Sequence, residues 1–249
     1  MKKLFNSILY SLAVILIVLL VWYFASLIIN VELILPTPYI AFKNIGTYLI
    51  SGEFWISLGW TYLRCIESFL IAFVIALLLA VLAYLFPTVE KLASPFMAIV
   101  RAIPTMAILL ILIISLRPYQ TPIVVAGIVI CPTLFQSFLS SFKSIDLQLV
   151  EMVEVYLVPK SKQILKFYIP SILPGIFSNS ASSFSLNIKL IIAAEALAQT
   201  SKSIGKMMQY AKINIEIEKL FALAIIAIVI SILSEALIRL VQRLVLKND

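Results

Sequence analysis

Long stretches without a charged residue constrain this chain more than any other feature. Leu4–Val31 and Pro118–Phe142 contain no Asp, Glu, Lys or Arg, and an apolar helix of about 20 residues is enough to cross the hydrocarbon core of a bilayer. Charged residues make up only 12% of the sequence, against about a quarter in soluble domains. Together with a mean hydropathy of +1.12, this pattern predicts an integral membrane protein with short loops.

The apolar stretches divide the chain into about six predicted spans. They are Leu4–Val31, Ser68–Phe86, Lys91–Leu116, Pro118–Phe142, Phe167–Leu197 and Leu220–Leu240. Arg101 and Pro104 interrupt the third span, so a count of five remains open. The predicted fold class is therefore all-α: a polytopic membrane protein with about six transmembrane helices.

Residues 1–249 are expected to form a single transmembrane domain. Its parts are a first helix (1–34), an external segment (35–62), helices two to four (63–145), a cytoplasmic loop (146–170), and helices five and six with an external loop at 200–219. Lys2 and Lys3 precede the first span and no basic residue follows it until Lys43. Because basic residues favour the cytoplasmic side, both termini are expected in the cytoplasm.

The composition also restricts the chemistry. The chain has no histidine, which is the commonest metal ligand and general base, and its six glycines are too scattered for a phosphate-binding loop. Cys65 and Cys131 lie in apolar surroundings and are expected to be inert. The excess of basic residues is spread among loops rather than clustered, which does not suggest nucleic acid. No catalytic residue, metal or cofactor is expected.

The segment Asp146–Ile176 is the longest polar, mixed-charge stretch between apolar runs. It resembles the cytoplasmic loop of permease subunits of bacterial binding-protein-dependent ABC importers. That loop begins with a Glu-Ala-Ala triplet and closes with Leu-Pro; here Glu151-Met152-Val153 and Ile169-Pro170 stand at the matching spacing, and Leu173-Pro174-Gly175 follows. The family's glycine in this loop is replaced by Leu157.

Four other motifs resemble the nitrate, sulfonate, taurine and thiamine-precursor branch of these permeases. They are Leu35-Pro36-Thr37-Pro38, Ser57-Leu58 with Leu63-Arg64, Arg101-Ala102-Ile103-Pro104, and Lys189 followed by Ala194-Glu195. In the last motif Ile188 replaces a tryptophan. The likeness covers roughly residues 35–243. It implies a non-catalytic permease of the type I importer fold in a bacterial cytoplasmic (inner) membrane.

The resemblance implies that a short helix in the 146–170 loop docks into a cleft of a separate ATPase. The residues expected to carry this contact are Leu149, Glu151, Met152, Val153, Glu154, Tyr156 and Leu157. Leu149, Met152, Val153 and Tyr156 form an apolar stripe at helical spacing. The alternative is an amphipathic helix at the membrane surface that has no partner.

Charged and polar residues within the spans are candidates for the translocation pathway, because such residues usually face protein or water rather than lipid. The candidates are Arg101, Ser183, Asn187, Lys189 and Glu195. Arg101 is expected near the cytoplasmic third of its span, where extension toward the lipid headgroups is the alternative. For Lys189 the alternative is a structural pair within the membrane, and for the serines around Ser183 it is close helix packing.

The expected function is ATP-driven import of a small solute: a sulfonate, a nitrate-like anion or a pyrimidine-type vitamin precursor. The expected partners are ABC ATPase subunits, an extracytoplasmic solute-binding protein, a second permease subunit (most simply an identical one, giving a homodimer) and the lipid bilayer. A secondary transporter driven by an ion gradient is the main alternative. An intramembrane enzyme and a non-transporting scaffold are the others, the former opposed by the isolated acidic residues in the spans.

Overall fold

The computed structural model describes residues 2–146, 148, 151–152, 155–156, 159 and 163–246, and this part of the chain is helical without any strand. A π-helical turn at Ile164–Tyr168 comes directly before the helix that begins at Ile169. The helices are α1 (Lys2–Ile29), α2 (Pro38–Ile50), α3 (Gly52–Leu85), α4 (Pro87–Ala102), α5 (Thr105–Ser115), α6 (Gln120–Lys143), α7 (Ile169–Ala198), α8 (Ile204–Ile213) and α9 (Ile217–Leu246).

The centre of the bundle is the contact of α6 with α3 on one side and with α7 on the other, while α7 also packs against α9. A row of buried alanines on α3 explains the close approach of α6. The row consists of Ala72, Ala76, Ala80 and Ala83, and it meets the large buried side chains of Leu134, Phe135 and Phe138 on α6. Small residues allow helices in a membrane to approach closely, where van der Waals packing then stabilises the contact.

The predicted third span is two helices rather than one. α4 and α5 meet at an angle of 86° across Ile103 and Pro104. Ile103 is extended (φ −69°, ψ 127°), as expected for the residue before a proline. Pro104 also lacks the N–H that a continuous helix requires.

α1 and α2 lie at the edge of the bundle. α1 is exposed along most of its described length and is joined to the rest near its C-terminal end, where Trp22 Nε1 donates to Pro36 O (3.0 Å) and the Trp22 ring stacks on Phe221. α2 begins at Pro38, a favoured first position of a helix, and packs against α9. A short helix thus follows Leu35.

Four helical stretches are long and apolar enough to cross a membrane: Gly52–Leu85, Gln120–Lys143, Lys166–Ala198 and Ile217–Leu244. The bent pair α4–α5 makes a fifth if it counts as one span. The first helix, the remaining expected span, runs over 28 residues, with its described apolar part at Ala13–Ile29. The all-α polytopic prediction is confirmed, although α3 begins well before the predicted Ser68.

Candidate functional site

A buried ion pair joins α3 to the C-terminal end of α7. Arg64 Nη1 donates to Glu195 Oε1 at 2.7 Å, and the two side chains are 2% and 0% exposed. Glu195 Oε2 accepts from Thr61 Oγ1 (2.9 Å) and from the backbone N–H of Gly205 (3.2 Å). Buried charges are tolerated when they are paired and hydrogen-bonded, and here both carboxylate oxygens have donors.

The N-terminus of α8 completes this cluster, which we call the Arg64–Glu195 cluster (Thr61, Arg64, Glu195 and Gly205). Ser203 caps α8 by accepting from the Lys206 N–H (3.0 Å), and the Ile204 N–H donates to Thr61 Oγ1 (3.0 Å). Unpaired N–H groups make a helix N-terminus electropositive, which stabilises a nearby carboxylate. The cluster therefore fixes the turn between α7 and α8 against α3.

A second polar contact lies two helical turns before Glu195. Asn187 is fully buried; its Nδ2 donates to Cys65 O (2.8 Å), and its Oδ1 accepts from Ser68 Oγ (3.3 Å). Ser68 Oγ is also 3.0 Å from Ile123 O of α6. These bonds join α3, α6 and α7 inside the bundle.

Three of the predicted pathway residues lie at buried positions of α7. Ser183, Asn187 and Glu195 are all buried, and the spacing of four places Ser183 beside Asn187 on the helix. Asn187 and Glu195 make their contacts with α3, as residues of a packed helix interface do. Their role in lining a pathway stays a prediction.

Lys189 lies on a different face of α7. Its side chain is exposed although the residue lies nine positions before the end of an apolar span. None of the ion pairs among the described residues includes Lys189, so no described carboxylate lies within 4 Å of its ammonium group. An exposed cation at such a position is stabilised by water, by an anion, by another protein chain or by extension to the lipid headgroups.

Arg101 lies in the last turn of α4, at the bend between α4 and α5, and it contacts α6. Its Nη2 donates to Pro132 O at 3.3 Å. Pro132 is twelve residues from Gln120 and eleven from Lys143, the two ends of α6. The guanidinium group is therefore level with the middle of α6, and its predicted position near the cytoplasmic third of its span stays a prediction.

The segment between α6 and α7 is described only in part. Glu151, Met152, Val155 and Tyr156 are exposed, and the Tyr156 N–H donates to Met152 O (3.1 Å), a helical contact. Three large apolar side chains are among these residues, with exposures of 49% for Met152, 79% for Val155 and 74% for Tyr156. Of the predicted docking residues, Leu149, Val153, Glu154 and Leu157 lie outside the described part.

Polar contacts also join the first half of α7, on the side of this segment, to α9. Arg239 of α9 pairs with Glu235 (2.8 Å), and its Nη2 donates to Ser182 Oγ (3.1 Å). Gln242 Nε2 donates to Pro174 O (3.1 Å). α7 is thus attached to α9 at this end and to α3 and α8 at the other.

The connection between α5 and α6 reaches the Arg64–Glu195 cluster. The Tyr119 ring lies 5.0 Å from Arg64 Cζ, and its hydroxyl donates to Glu67 Oε2 at 2.8 Å. Desolvation and this hydrogen bond raise the pKa of Tyr119 above its ordinary value. Tyr119 thus remains a neutral donor at physiological pH.

The sequence did not single out Arg64, Thr61 or Gly205 as members of a site. The available signal was the acidic residue Glu195 inside an apolar span, since such a group needs a cationic partner. Its partner lies 131 positions away, and no local spacing rule reaches that far.

These features define a class of protein. It is a polytopic helical membrane protein whose bundle is held by buried polar contacts, with exposed cations in its spans and an exposed apolar segment between α6 and α7. In the described part of the chain, no group of His, Cys, Asp or Glu side chains is arranged to hold a metal ion.

The chain belongs to the family described as binding-protein-dependent transport system inner membrane component, whose sequence model matches residues 72–247. It is a permease component of an ABC importer, and the predicted resemblance is confirmed. It is 26% identical over 216 residues to the putative aliphatic sulfonates transport permease protein SsuC of Bacillus subtilis (strain 168), covering 86% of this chain and 78% of that protein. Family membership favours a transporter over an enzyme.

Solved structures share the fold. A chain of the MetNI methionine ABC transporter in an inward-facing conformation superposes with a TM-score of 0.60 at 19% identity, covering 77% of this chain and 93% of that one. A chain of an amino acid ABC transporter with histidines gives a TM-score of 0.57 at 12% identity, with coverage of 78% and 94%. The type I importer fold predicted from the sequence is therefore confirmed.

Proposed function

We propose that this permease carries a small organic anion, most simply a sulfonate, through a pathway formed with a second permease subunit, and that a separate ATPase drives it through the 146–170 segment. A solute-binding protein delivers the anion on the opposite side of the membrane. The second subunit is an identical copy, since a twofold dimer offers two equivalent docking segments to two ATPases.

The exposed apolar side chains of the 146–170 segment carry the docking proposal. Met152, Val155 and Tyr156 are solvent-facing on a segment that also carries Glu151. Exposed apolar groups rimmed by charge are typical of a protein contact. The groove of a partner would bury them, as in other helix-in-groove contacts.

The position of this segment supports the proposed sidedness. Ile169 and Glu195 are near opposite ends of α7, separated by about 39 Å at 1.5 Å per residue. That distance exceeds the roughly 30 Å of the hydrocarbon core. The 146–170 segment and the Arg64–Glu195 cluster would then lie on opposite sides of the membrane, with the segment and both termini in the cytoplasm.

Lys189 supports the proposal of an anionic solute. It is exposed and without a carboxylate partner in the described residues. In a pathway it would attract anions and disfavour cations. The sulfonate class is suggested by the relative from Bacillus subtilis.

The docking proposal is tested by Glu151→Lys. Tagged permease is purified from membranes that also contain the importer's ATPase, and the ATPase recovered per permease is measured. We expect the charge reversal to reduce recovery at least tenfold, because it places a cation in the proposed contact. Glu53→Lys, an exposed charge reversal at the far end of the bundle, is the matched control. Unchanged recovery with Glu151→Lys at normal insertion would refute the docking role.

A further inference from the structure

An apolar groove runs between α3, α4 and α6 on the side of the bundle that carries the α4–α5 bend. Its volume is about 610 Å³. The side chains that form its walls are almost entirely apolar and include Ile75, Leu79, Phe96, Met97, Ile128 and Cys131. The contacts of the Arg64–Glu195 cluster do not involve this groove.

A cation, Arg101, lies beside the groove without being one of its lining residues. Val100 and Ile103 line the groove on either side of Arg101 in sequence, and Pro132, whose carbonyl accepts from Arg101, lines it from α6. Arg101 is exposed, and no carboxylate of the described residues lies within 4 Å of it. The guanidinium group has a fork of N–H donors, of which one is directed to Pro132 O.

The groove is accessible from outside the chain. Ile75, Phe96 and Ile103 on its rim are 46%, 60% and 43% exposed. Water does not fill an apolar cavity readily, because the walls offer it no hydrogen bonds. A cation in the membrane interior, by contrast, is stabilised by an anion. An occupant that meets both conditions has an apolar body and an anionic head.

We propose that this groove is a binding site for an organic anion with an apolar body, such as an alkanesulfonate, whose head binds Arg101. The proposal deepens the function proposed above and rests on it, because it places a solute site on the pathway. It selects among the expected solutes: an alkanesulfonate fits both the groove and Arg101, whereas a nitrate-like anion leaves the apolar walls unoccupied.

The position of Arg101 along α6 argues against a phospholipid headgroup as its partner. Arg101 is level with the middle of α6, and the middle of a helix that spans a hydrocarbon core of roughly 30 Å lies about 15 Å from either edge. A phosphate headgroup lies at that edge rather than at the centre. The groove runs from Ile123 to Pro132 along α6, about 14 Å at 1.5 Å per residue, which accommodates a short alkyl chain.

The test is ligand binding to the full-length permease in nanodiscs of zwitterionic lipid, measured as the shift in thermal unfolding temperature. Hexanesulfonate is the probe. Methanesulfonate supplies the same head without the chain, and hexanol supplies the chain without the charge. A ligand that binds only the folded state raises its stability, so we expect hexanesulfonate to raise the unfolding temperature more than either control compound at equal concentration.

Two variants test the two parts of the site. Arg101→Met removes the cation, and we expect the apparent Kd for hexanesulfonate to rise about tenfold or more, the effect of losing a hydrogen bond to a charged group. Cys131→Trp fills the groove and should abolish the shift while leaving Arg101 in place. Ile114→Trp adds the same bulk to an 88% exposed position on α5 and should bind hexanesulfonate as the wild type does.

Three outcomes would overturn the site. The first is that hexanol stabilises as strongly as hexanesulfonate, which would indicate apolar partitioning only. The second is an unchanged Kd in Arg101→Met. The third is no response to hexanesulfonate combined with loss of dimer in Cys131→Trp, which would show that a second copy covers the groove. None of these outcomes involves the ATPase. If the ATPase is still recovered with the wild-type permease, the proposed function stands even when this binding site is refuted.

Discussion

Glu195 is fully buried in an apolar helix, and Arg64 is its one described cationic partner. Burial of two charges costs several kcal/mol per ion, and their attraction together with the remaining hydrogen bonds offsets this cost. Thr61 and the Gly205 N–H supply those additional bonds. The pair therefore fixes the arrangement of α3, α7 and α8, and it does so only while both partners are present.

We expect Arg64→Met to destabilise the permease by about 3–5 kcal/mol, because it leaves the Glu195 carboxylate buried without a cation. The measurement is the thermal unfolding temperature in detergent. Replacing both residues, Arg64→Met with Glu195→Leu, should recover much of the loss, since no charge is then buried.

Lys219→Met is the control for this prediction. Lys219 pairs with Glu216 at 2.7 Å, but their side chains are 39% and 36% exposed. Loss of an exposed pair costs less than about 1 kcal/mol. Equal unfolding temperatures for Arg64→Met and Lys219→Met would contradict a stabilising role of the buried pair.

The sequence predicts which residues are unusual but not which of them meet. Glu195 and Lys189 are both recognisable as charges within a span, and six positions separate them. In the structure they lie on different faces of α7, one buried against α3 and one exposed. Which face a residue occupies depends on how α7 is rotated against α3, and the 3.6-residue period does not determine that rotation.

The contact between α7 and α8 depends on a single glycine. A Cβ on Gly205 would clash with backbone atoms of Ile192 and Ala196 and with the Glu195 side chain. Glycine thus lets the N-terminus of α8 approach the carboxylate that it stabilises. Backbone atoms within a packed helix cannot move aside as a flexible side chain can.

We therefore expect Gly205→Ala to destabilise the protein by about 1–3 kcal/mol, the usual cost of overpacking, measured as a lower unfolding temperature. Gly46→Ala is its matched control. Gly46 lies within α2 and a Cβ there would meet nothing within 4 Å. This substitution should stabilise by about 0.5–1 kcal/mol, because alanine is favoured over glycine within a helix. An unchanged unfolding temperature in Gly205→Ala would show that α7 and α8 can move apart without a loss of stability.

For the helices, the sequence predicts which ones exist better than it predicts where they begin and at what angles they meet. Apolar runs predict the main spans because burial in lipid requires about 20 apolar residues. The start of α3 was missed, since Gly52–Glu67 carries charges and yet continues the same helix. Pro104 indicated an interruption, but the 86° angle between α4 and α5 depends on how both helices pack against α6.

Over the molecule as a whole, the charges within the spans are unevenly balanced. Glu195 and Glu235 pair with arginines, and Glu67 accepts from Tyr119, whereas Arg101 and Lys189 have no described carboxylate within 4 Å. Both cations are exposed on the surface of the single chain. A pathway that includes them would carry a positive potential and would concentrate anions near the membrane interior.

This imbalance predicts that Lys189 contributes to transport rather than to folding. In cells or vesicles that contain the complete importer, we expect Lys189→Gln to lower the initial rate of sulfonate uptake about tenfold, the usual effect of losing one charged hydrogen bond. Lys189→Arg keeps the charge and should retain most of the uptake. Lys43→Gln removes an exposed cation of α2 and should leave uptake unchanged. Because Lys189 makes no ion pair with the described residues, its replacement should not change the unfolding temperature. Normal uptake by Lys189→Gln would instead place this lysine against lipid, its ammonium group extended toward the headgroups.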